Sequence, residues 1–120
     1  MQKFNFSYDK ENDDLFLYSQ KSKSKGSVEL GDFVLDYDSK GELVAVQIMN
    51  AAKFIKDIAT EKNTTDIKRL LNNLKDTRID IKAKNNILII KIHLISDTDE
   101  ISSVLSVPRI QEPSPALVST

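Results

Sequence analysis

Apolar and polar residues alternate along the start of the chain, and this period of two is typical of a half-buried β-strand. Phe4, Phe6 and Tyr8 lie at alternate positions, and a polar stretch separates them from the apolar run 15–18. The pattern predicts a first β-hairpin. The connector that follows, residues 19–27, is filled mainly by serine and lysine.

A second hairpin is predicted where the apolar runs 33–37 and 43–49 flank a turn that contains Gly41. Glycine readily adopts the positive φ that short hairpin loops require. This is the clearest local signal in the sequence. A short run at 28–30 before the hairpin adds a further strand.

The two hairpins resemble each other at their turns. Tyr8-Asp9 closes the first strand of one hairpin, and Tyr37-Asp38 closes the first strand of the other. An aspartate at this position accepts hydrogen bonds from the turn backbone. Duplication of one hairpin and independent adoption of the same turn chemistry both account for the likeness.

The period changes to that of an α-helix after Asn50, which is a suitable N-cap. Residues 51–59 place apolar side chains on one helical face, and a second helix is predicted to begin after a cap at Thr64 or Thr65. Its apolar stripe follows the i, i+3, i+4, i+7 spacing of an amphipathic helix. The stripe consists of Ile67, Leu70, Leu71 and Leu74.

The chain returns to strand patterning in its last third. Residues 79–83 alternate, Asn85-Asn86 is predicted to form a two-residue turn, and 87–95 form the return strand. The segment 101–110 is predicted to be a last strand, which Pro108 interrupts. Residues 111–120 are predicted to be a disordered tail because two prolines stand there among small residues.

These elements predict an α+β fold in which antiparallel β-hairpins, with about six or seven strands, carry two central helices packed on the sheet. Residues 1–110 form a single α+β domain, with a β-rich part at 4–55, helices at 51–75, a hairpin at 78–95 and a possible last strand at 101–110. The long apolar strand at 87–94 is predicted to be a sheet edge that pairs with a second copy in a homodimer.

Composition narrows the classes of function. The 120 residues contain 17 Lys+Arg and 18 Asp+Glu, a net charge of −1, which disfavours a dedicated nucleic-acid binder. The absence of cysteine excludes disulfides, thiolate catalysis and cysteine-ligated metal centres. No signal-like or membrane-spanning apolar run occurs, so a cytoplasmic location is expected. With three glycines, no nucleotide-binding glycine motif is present and no cofactor is predicted.

Carboxylates in the two hairpins are the first candidates for chemistry: Asp9, Asp13, Asp36 and Asp38. Paired carboxylates act as acid and base, or bind a metal, when they are buried together. The run from Asp36 also has the spacing that begins a calcium loop. Lys40 stands there where a ligand is needed, and Gln47 cannot supply the bidentate carboxylate, so turn chemistry is favoured over calcium.

Two further candidates are basic or titratable. Lys21, Lys23 and Lys25 form the densest basic cluster, and their interleaved serines favour a solvated loop over a phosphate site. His93 is the single histidine and alternates with apolar neighbours, so it is expected on the more polar face of its strand. A lone histidine without a recognisable nucleophile motif makes a catalytic triad improbable.

The first half of the chain resembles the family of proteins of unknown function numbered 2283, over about residues 4–55. The family pattern is a Tyr-Asp…Asp-x-Leu hairpin followed by a Leu-Asp-Tyr-Asp-x-x-Gly-x-Leu-Val segment and an alanine at a helix start. The matching residues are Tyr8, Asp9, Asp13, Leu15, Leu35, Asp36, Tyr37, Asp38, Gly41, Leu43, Val44 and Ala51. The family is small, prokaryotic and uncharacterised, so the resemblance implies a fold type and a prokaryotic host but no particular activity. It leaves an antitoxin-like or partner-binding role open.

The expected function is a non-enzymatic, self-associating protein-binding module, with a homodimer and a small protein partner as its assemblies. One alternative is a metal- or small-molecule-dependent enzyme that uses the hairpin carboxylates. The other is a weak nucleic-acid-binding or antitoxin-like protein. Neither nucleic acid nor membrane is expected as the main partner.

Overall fold

The computed structural model describes residues 2–19, 23–59 and 66–108. Eight strands and two short helices follow one another in this part of the chain. The predicted tail at 111–120 and the predicted caps Thr64 and Thr65 lie outside the described residues. The elements are β1 (Gln2–Asp9), β2 (Asp14–Tyr18), β3 (Gly26–Leu30), β4 (Phe33–Tyr37), β5 (Leu43–Ile48), α1 (Ala51–Ile58), α2 (Ile67–Asn72), β6 (Leu74–Lys84), β7 (Ile87–Ser96) and β8 (Glu100–Pro108).

All eight strands form one antiparallel sheet in the order β3-β4-β5-β2-β1-β6-β7-β8. The predicted α+β fold, with six or seven strands and two central packed helices, is therefore wrong. The protein is mostly antiparallel sheet, curved into a half-barrel, and the helices are minor elements.

The fold prediction failed because the apolar spacing near the end of the second predicted helix fits both an α-helix and the start of a β-strand. The stripe that ends at Leu74 was consistent with a longer second helix, but α2 stops at Asn72 and Leu74 is the first residue of β6. Helix α1 also ends early, because Ala59 has extended φ and ψ values and pairs with Ser103 of β8. Helices of eight and six residues have little intrinsic stability and depend on packing.

The core lies on one face of the sheet, which we call the inner face, and the helices lie against it. Alternate side chains of every strand point to that face, as the period of two predicts. Ala51 and Ile55 of α1 and Ile67, Leu70 and Leu71 of α2 complete the core. The largest fully buried side chains of the strands are Phe4, Leu15, Leu17, Leu35, Ile48, Ile79, Ile90, Ile92 and Leu94.

The two halves of the sheet join at a short junction between β1 and β6. Among the described residues of β1, only Gln2–Phe4 pairs with β6, opposite Thr77–Ile79. The fully buried Thr77 hydroxyl donates to the Phe4 carbonyl oxygen at 2.6 Å, which satisfies a polar group inside the core. This junction turns the predicted separate hairpins into one sheet.

The likeness of the two N-terminal hairpins has a structural counterpart. Strands β2 and β5 are neighbours, with β1 and β4 outside them, so the hairpins lie symmetrically about the β2–β5 pair. Tyr8 pairs with Leu15 and Tyr37 pairs with Leu43, both at the turn end of their hairpin. The two turns consequently lie at opposite ends of the sheet.

Strand β7 is not an edge, because β8 of the same chain pairs with it along its length. The pairing runs from Ile87 opposite Pro108 to Ile95 opposite Glu100. The strands at the two edges of the sheet are β3 and β8. Neither described helix is long and apolar enough to cross a membrane.

Candidate functional site

Asp13 joins the first turn to the start of helix α1. Its backbone has a positive φ of 54°, and its carbonyl oxygen accepts the Ala51 N–H at 2.9 Å. Both carboxylate oxygens lie 3.2 Å from the Ala52 nitrogen. Asn50 occupies the predicted N-cap position, but its side chain makes no capping hydrogen bond. The cap is therefore supplied from 39 residues away, where a carboxylate also favours the helix dipole.

Tyr8 completes this arrangement. Its hydroxyl donates to Asp13 Oδ1 at 2.6 Å. Burial, together with the hydrogen bond and negative charge of Asp13, raises the pKa of Tyr8 well above the ordinary tyrosine value. Tyr8 therefore stays protonated and donates. The Asp13 carboxylate already accepts two hydrogen bonds, one from the Tyr8 hydroxyl and one from the Ala52 N–H. The hydrogen-bonded Tyr8–Asp13 pair connects the first hairpin to the start of helix α1.

Asp9 and Asp38 close the turns of their own hairpins. Asp9 accepts the backbone N–H groups of Glu11 and Asn12, and the Asn12 side-chain amide as well. These hydrogen bonds, with that of the Asn12 side chain foremost, hold the pKa of Asp9 below its usual value. Asp38 Oδ1 accepts the N–H groups of Lys40 and Glu42, both at 2.9 Å.

Asp36 lies on β4, where the hydroxyl of Ser27 on β3 donates to its carboxylate. Asp36 and Asp38 therefore share one hairpin, and Asp9 and Asp13 share the other. The two turns lie beside opposite ends of β5. Its end residues, Leu43 and Ile48, are five positions apart, about 17 Å at the usual rise of a strand. The structure places two of the four candidate carboxylates in each hairpin and does not bring all four into one cleft.

Within residues 2–19, 23–59 and 66–108, no group of three or more acidic or histidine side chains could hold a metal ion. In the segment with calcium-loop spacing, the Asp38 carboxylate accepts hydrogen bonds from the turn backbone, and Gly41 has the predicted positive φ of 78°. Its hydrogen bonds are those of a hairpin turn.

The remaining predicted site residues lie far apart in the fold. Lys21 falls outside the described residues, whereas Lys23 and Lys25 are exposed just before the edge strand β3. His93 lies on β7 and faces away from the core, and its Nδ1 is 2.9 Å from the hydroxyl of Ser102 on β8. The His93–Ser102 contact is a cross-strand pair on an open sheet surface.

Sequence reasoning missed the functional potential of the sheet face that points away from the core, which we call the outer face. Lys3 of β1 pairs with Arg78 of β6, which pairs with His93. Phe16 and Tyr18 of β2 stack on the same face, with ring centroids 5.1 Å apart. The alternation of β2 is a signal that could have placed Phe16 on this face, but only the register of the strands could place Lys3 beside Arg78.

Fold and site together define a chain with one antiparallel sheet, in which Asp9 and Asp38 close hairpin turns and Asp13 caps helix α1. Residues 5–51 match the family described as protein of unknown function DUF2283. This segment contains the two symmetric hairpins and ends at the first residue of α1. The resemblance inferred from the sequence is confirmed over this segment.

Two curated proteins from archaea are similar to the chain. An uncharacterized protein of Methanocaldococcus jannaschii is 41% identical over 51 residues, which cover 42% of this chain and 44% of the relative. A protein named putative hypoxanthine phosphoribosyltransferase from Methanosarcina mazei is 28% identical over 89 residues, or 72% of this chain and 65% of that protein. The chain thus spans only part of the length of these relatives. No solved structure matches it.

Proposed function

We propose that this protein is a non-enzymatic, self-associating protein-binding module, and that two copies pair through the outer edge of β8. The observation that supports this assembly is the contrast between the two edge strands. An exposed edge carries unpaired backbone N–H and C=O groups, and proteins usually protect such an edge with short length or charge.

Strand β3 has this protection. It is five residues long, it contains Glu29, and Lys25 precedes it directly. Strand β8 is nine residues long and has no charged side chain from Ile101 to Pro108. Among the described residues, only Ala59 pairs with its outer edge, at Ser103.

The part of β8 beyond Ser103 suits pairing with a second copy. An antiparallel pairing of residues 104–108 with themselves centres on Ser106, which is exposed. Such a pairing has two-fold symmetry and closes after two chains. The protected edge at β3 opposes further growth of the sheet.

The test is the oligomeric state of the full chain by analytical ultracentrifugation, and a species of twice the chain mass is expected. Ser106→Lys places like charges opposite each other in the proposed pairing, so it is expected to shift the protein to monomer. Ser24→Lys makes the same substitution in an exposed connector and serves as the matched control. A monomeric wild type, or a dimer that withstands Ser106→Lys, contradicts the proposal.

A further inference from the structure

The outer face of the sheet carries a row of basic side chains that crosses the junction between its two halves. Lys3, Arg78 and His93 lie side by side on β1, β6 and β7. Like charges directly opposite each other in a sheet destabilise it. Asp76 offsets part of this cost, since its Oδ2 accepts from Arg78 Nε at 2.9 Å.

The basic row continues along the β6–β7 hairpin. Lys82 and Lys84 are exposed on β6, opposite Ile89 and Ile87 of β7. Nearer the junction, Lys91 lies opposite Asp80. Five lysine and arginine side chains thus share this part of the outer face, and Asp76 and Asp80 are the carboxylates among them.

An aromatic pair borders the basic row. Phe16 is 37% exposed and stacks on Tyr18, with 20° between the ring planes. Tyr18 lies opposite Asn5 of β1, and Lys3 is the next residue of β1 on the same face. Diagonal neighbours of this kind are about 7–8 Å apart, within reach of long side chains. The aromatic and basic groups therefore form one continuous surface.

Charge is distributed unevenly over the strands of the sheet. Strands β2 to β5 contain Asp14, Glu29 and Asp36 and no lysine, arginine or histidine. The basic residues of the outer face lie on β1, β6 and β7, where Asp9, Asp76 and Asp80 are the carboxylates. The net charge of −1 hides this segregation, and a local basic surface attracts polyanions whatever the net charge of the chain.

We propose that the outer face formed by β2, β1, β6 and β7 binds single-stranded nucleic acid. Lysine and arginine contact the phosphates, and the exposed Phe16 of the aromatic pair stacks on an unpaired base, the combination used by sequence-tolerant single-strand binders. A duplex keeps its bases stacked internally and leaves the aromatic pair unused. The carboxylates of β3 and β4 repel phosphate and confine the strand to the β2–β7 side.

The test measures binding of the full chain to a fluorescent oligothymidine of about 12 nucleotides, within the length that one small sheet domain covers, by anisotropy across a salt series. The wild type is expected to bind, with log K falling linearly against log salt concentration. Lys82→Gln/Lys84→Gln is expected to weaken binding and to reduce the slope by about 1.4, since each lost phosphate contact removes about 0.7. Lys53→Gln/Lys56→Gln changes exposed lysines on α1 and is the matched control, expected to leave the slope unchanged.

Phe16→Ala separates stacking from electrostatics. It is expected to weaken binding about tenfold without changing the salt slope, because loss of one stacked base does not alter the phosphate contacts. The proposal is overturned if the wild type fails to bind at low salt, or if the control variant loses as much affinity as Lys82→Gln/Lys84→Gln. Equal binding of duplex, or equal competition by polyglutamate, also overturns it. Ser106→Lys adds a positive charge to the outer face, opposite Ile89, so this variant should bind no more weakly than the wild type if binding is independent of self-association.

Discussion

Two tyrosines occupy matching positions in the two N-terminal hairpins and differ in their hydrogen bonding. Tyr8 donates to the Asp13 carboxylate that caps α1. The Tyr37 hydroxyl is buried and has no partner among the described residues, and the Tyr37 residue is 8% exposed. The same residue type therefore stabilises one hairpin and carries a desolvation cost in the other.

This contrast predicts opposite effects of the same substitution. Tyr8→Phe is expected to lower the free energy of unfolding by about 1.5 kcal/mol, since it removes a hydrogen bond to a charged group. Tyr37→Phe is expected to raise it by about 1 kcal/mol, because it removes a polar group buried without a partner. Urea titrations of the two variants measure both values, and equal losses in the two would contradict the assignment.

Alkaline pH is expected to destabilise the fold through the same two side chains. Burial raises the pKa of Tyr37, and burial with the adjacent Asp13 raises that of Tyr8. The unfolded chain loses these protons near pH 10, whereas the folded chain keeps them. The contribution of these two tyrosines to the free energy of unfolding should therefore be constant below pH 10 and fall above it, by up to about 1.4 kcal/mol per pH unit for each tyrosine. Urea titrations between pH 9 and pH 11 test this, and the variant Tyr8→Phe/Tyr37→Phe should show a flatter profile than the wild type.

At the scale of elements, the junction between β1 and β6 holds the sheet together. Three residue pairs and one side-chain hydrogen bond connect the hairpins of the family-like segment to the C-terminal strands. On one side of the junction β1 pairs with β2 over five residues, and on the other side β6 pairs with β7 over ten. The junction is consequently the narrowest connection in the sheet.

Thr77→Val is expected to lower the free energy of unfolding by about 1 kcal/mol, because the buried Phe4 carbonyl loses the hydroxyl donor. Hydrogen exchange should quicken first at the amides of Gln2–Phe4 and Thr77–Ile79, before the rest of the sheet. Thr98→Val removes a hydroxyl from an exposed turn and is the control. Uniform acceleration across all eight strands would show that the junction is not a separate unit.

At the scale of the whole molecule, helix α1 couples the two halves. Asp13 of the N-terminal half caps it, and the residue after its last turn pairs with β8. Ile55 is fully buried in the common core. Packing therefore links the start of the family-like segment to the last strand of the sheet.

Ile55→Ala is expected to cost about 3 kcal/mol, the usual range for loss of a large core side chain. Because the core is shared, exchange should quicken in both β2 and β8 and not in one half alone. The control is Lys56→Ala, which changes the adjacent residue, whose side chain is exposed. Acceleration limited to β8 would indicate that the two halves unfold independently.

The predictions that the structure confirms concern turns and strand positions, and their signals are local. Gly41 has the expected positive φ, Asn85 has a positive φ in the expected two-residue turn, and Asp9 and Asp38 close the expected turns. Residues two to four apart along the chain determine this chemistry. The fold class could not be obtained in the same way, because the apolar spacing through Leu74 fits both a helix and the start of a strand.

The sequence by itself therefore determined the hairpins, their turn residues and the alternation of buried positions. Only the tertiary structure decided the cap that Asp13 gives to α1 and the pairing of Lys3 with Arg78, 39 and 75 residues apart in sequence. Such contacts depend on strand order and register, which are selected by packing of the whole core rather than by neighbours along the chain. The net charge is a sum over residues, whereas the basic face depends on their positions.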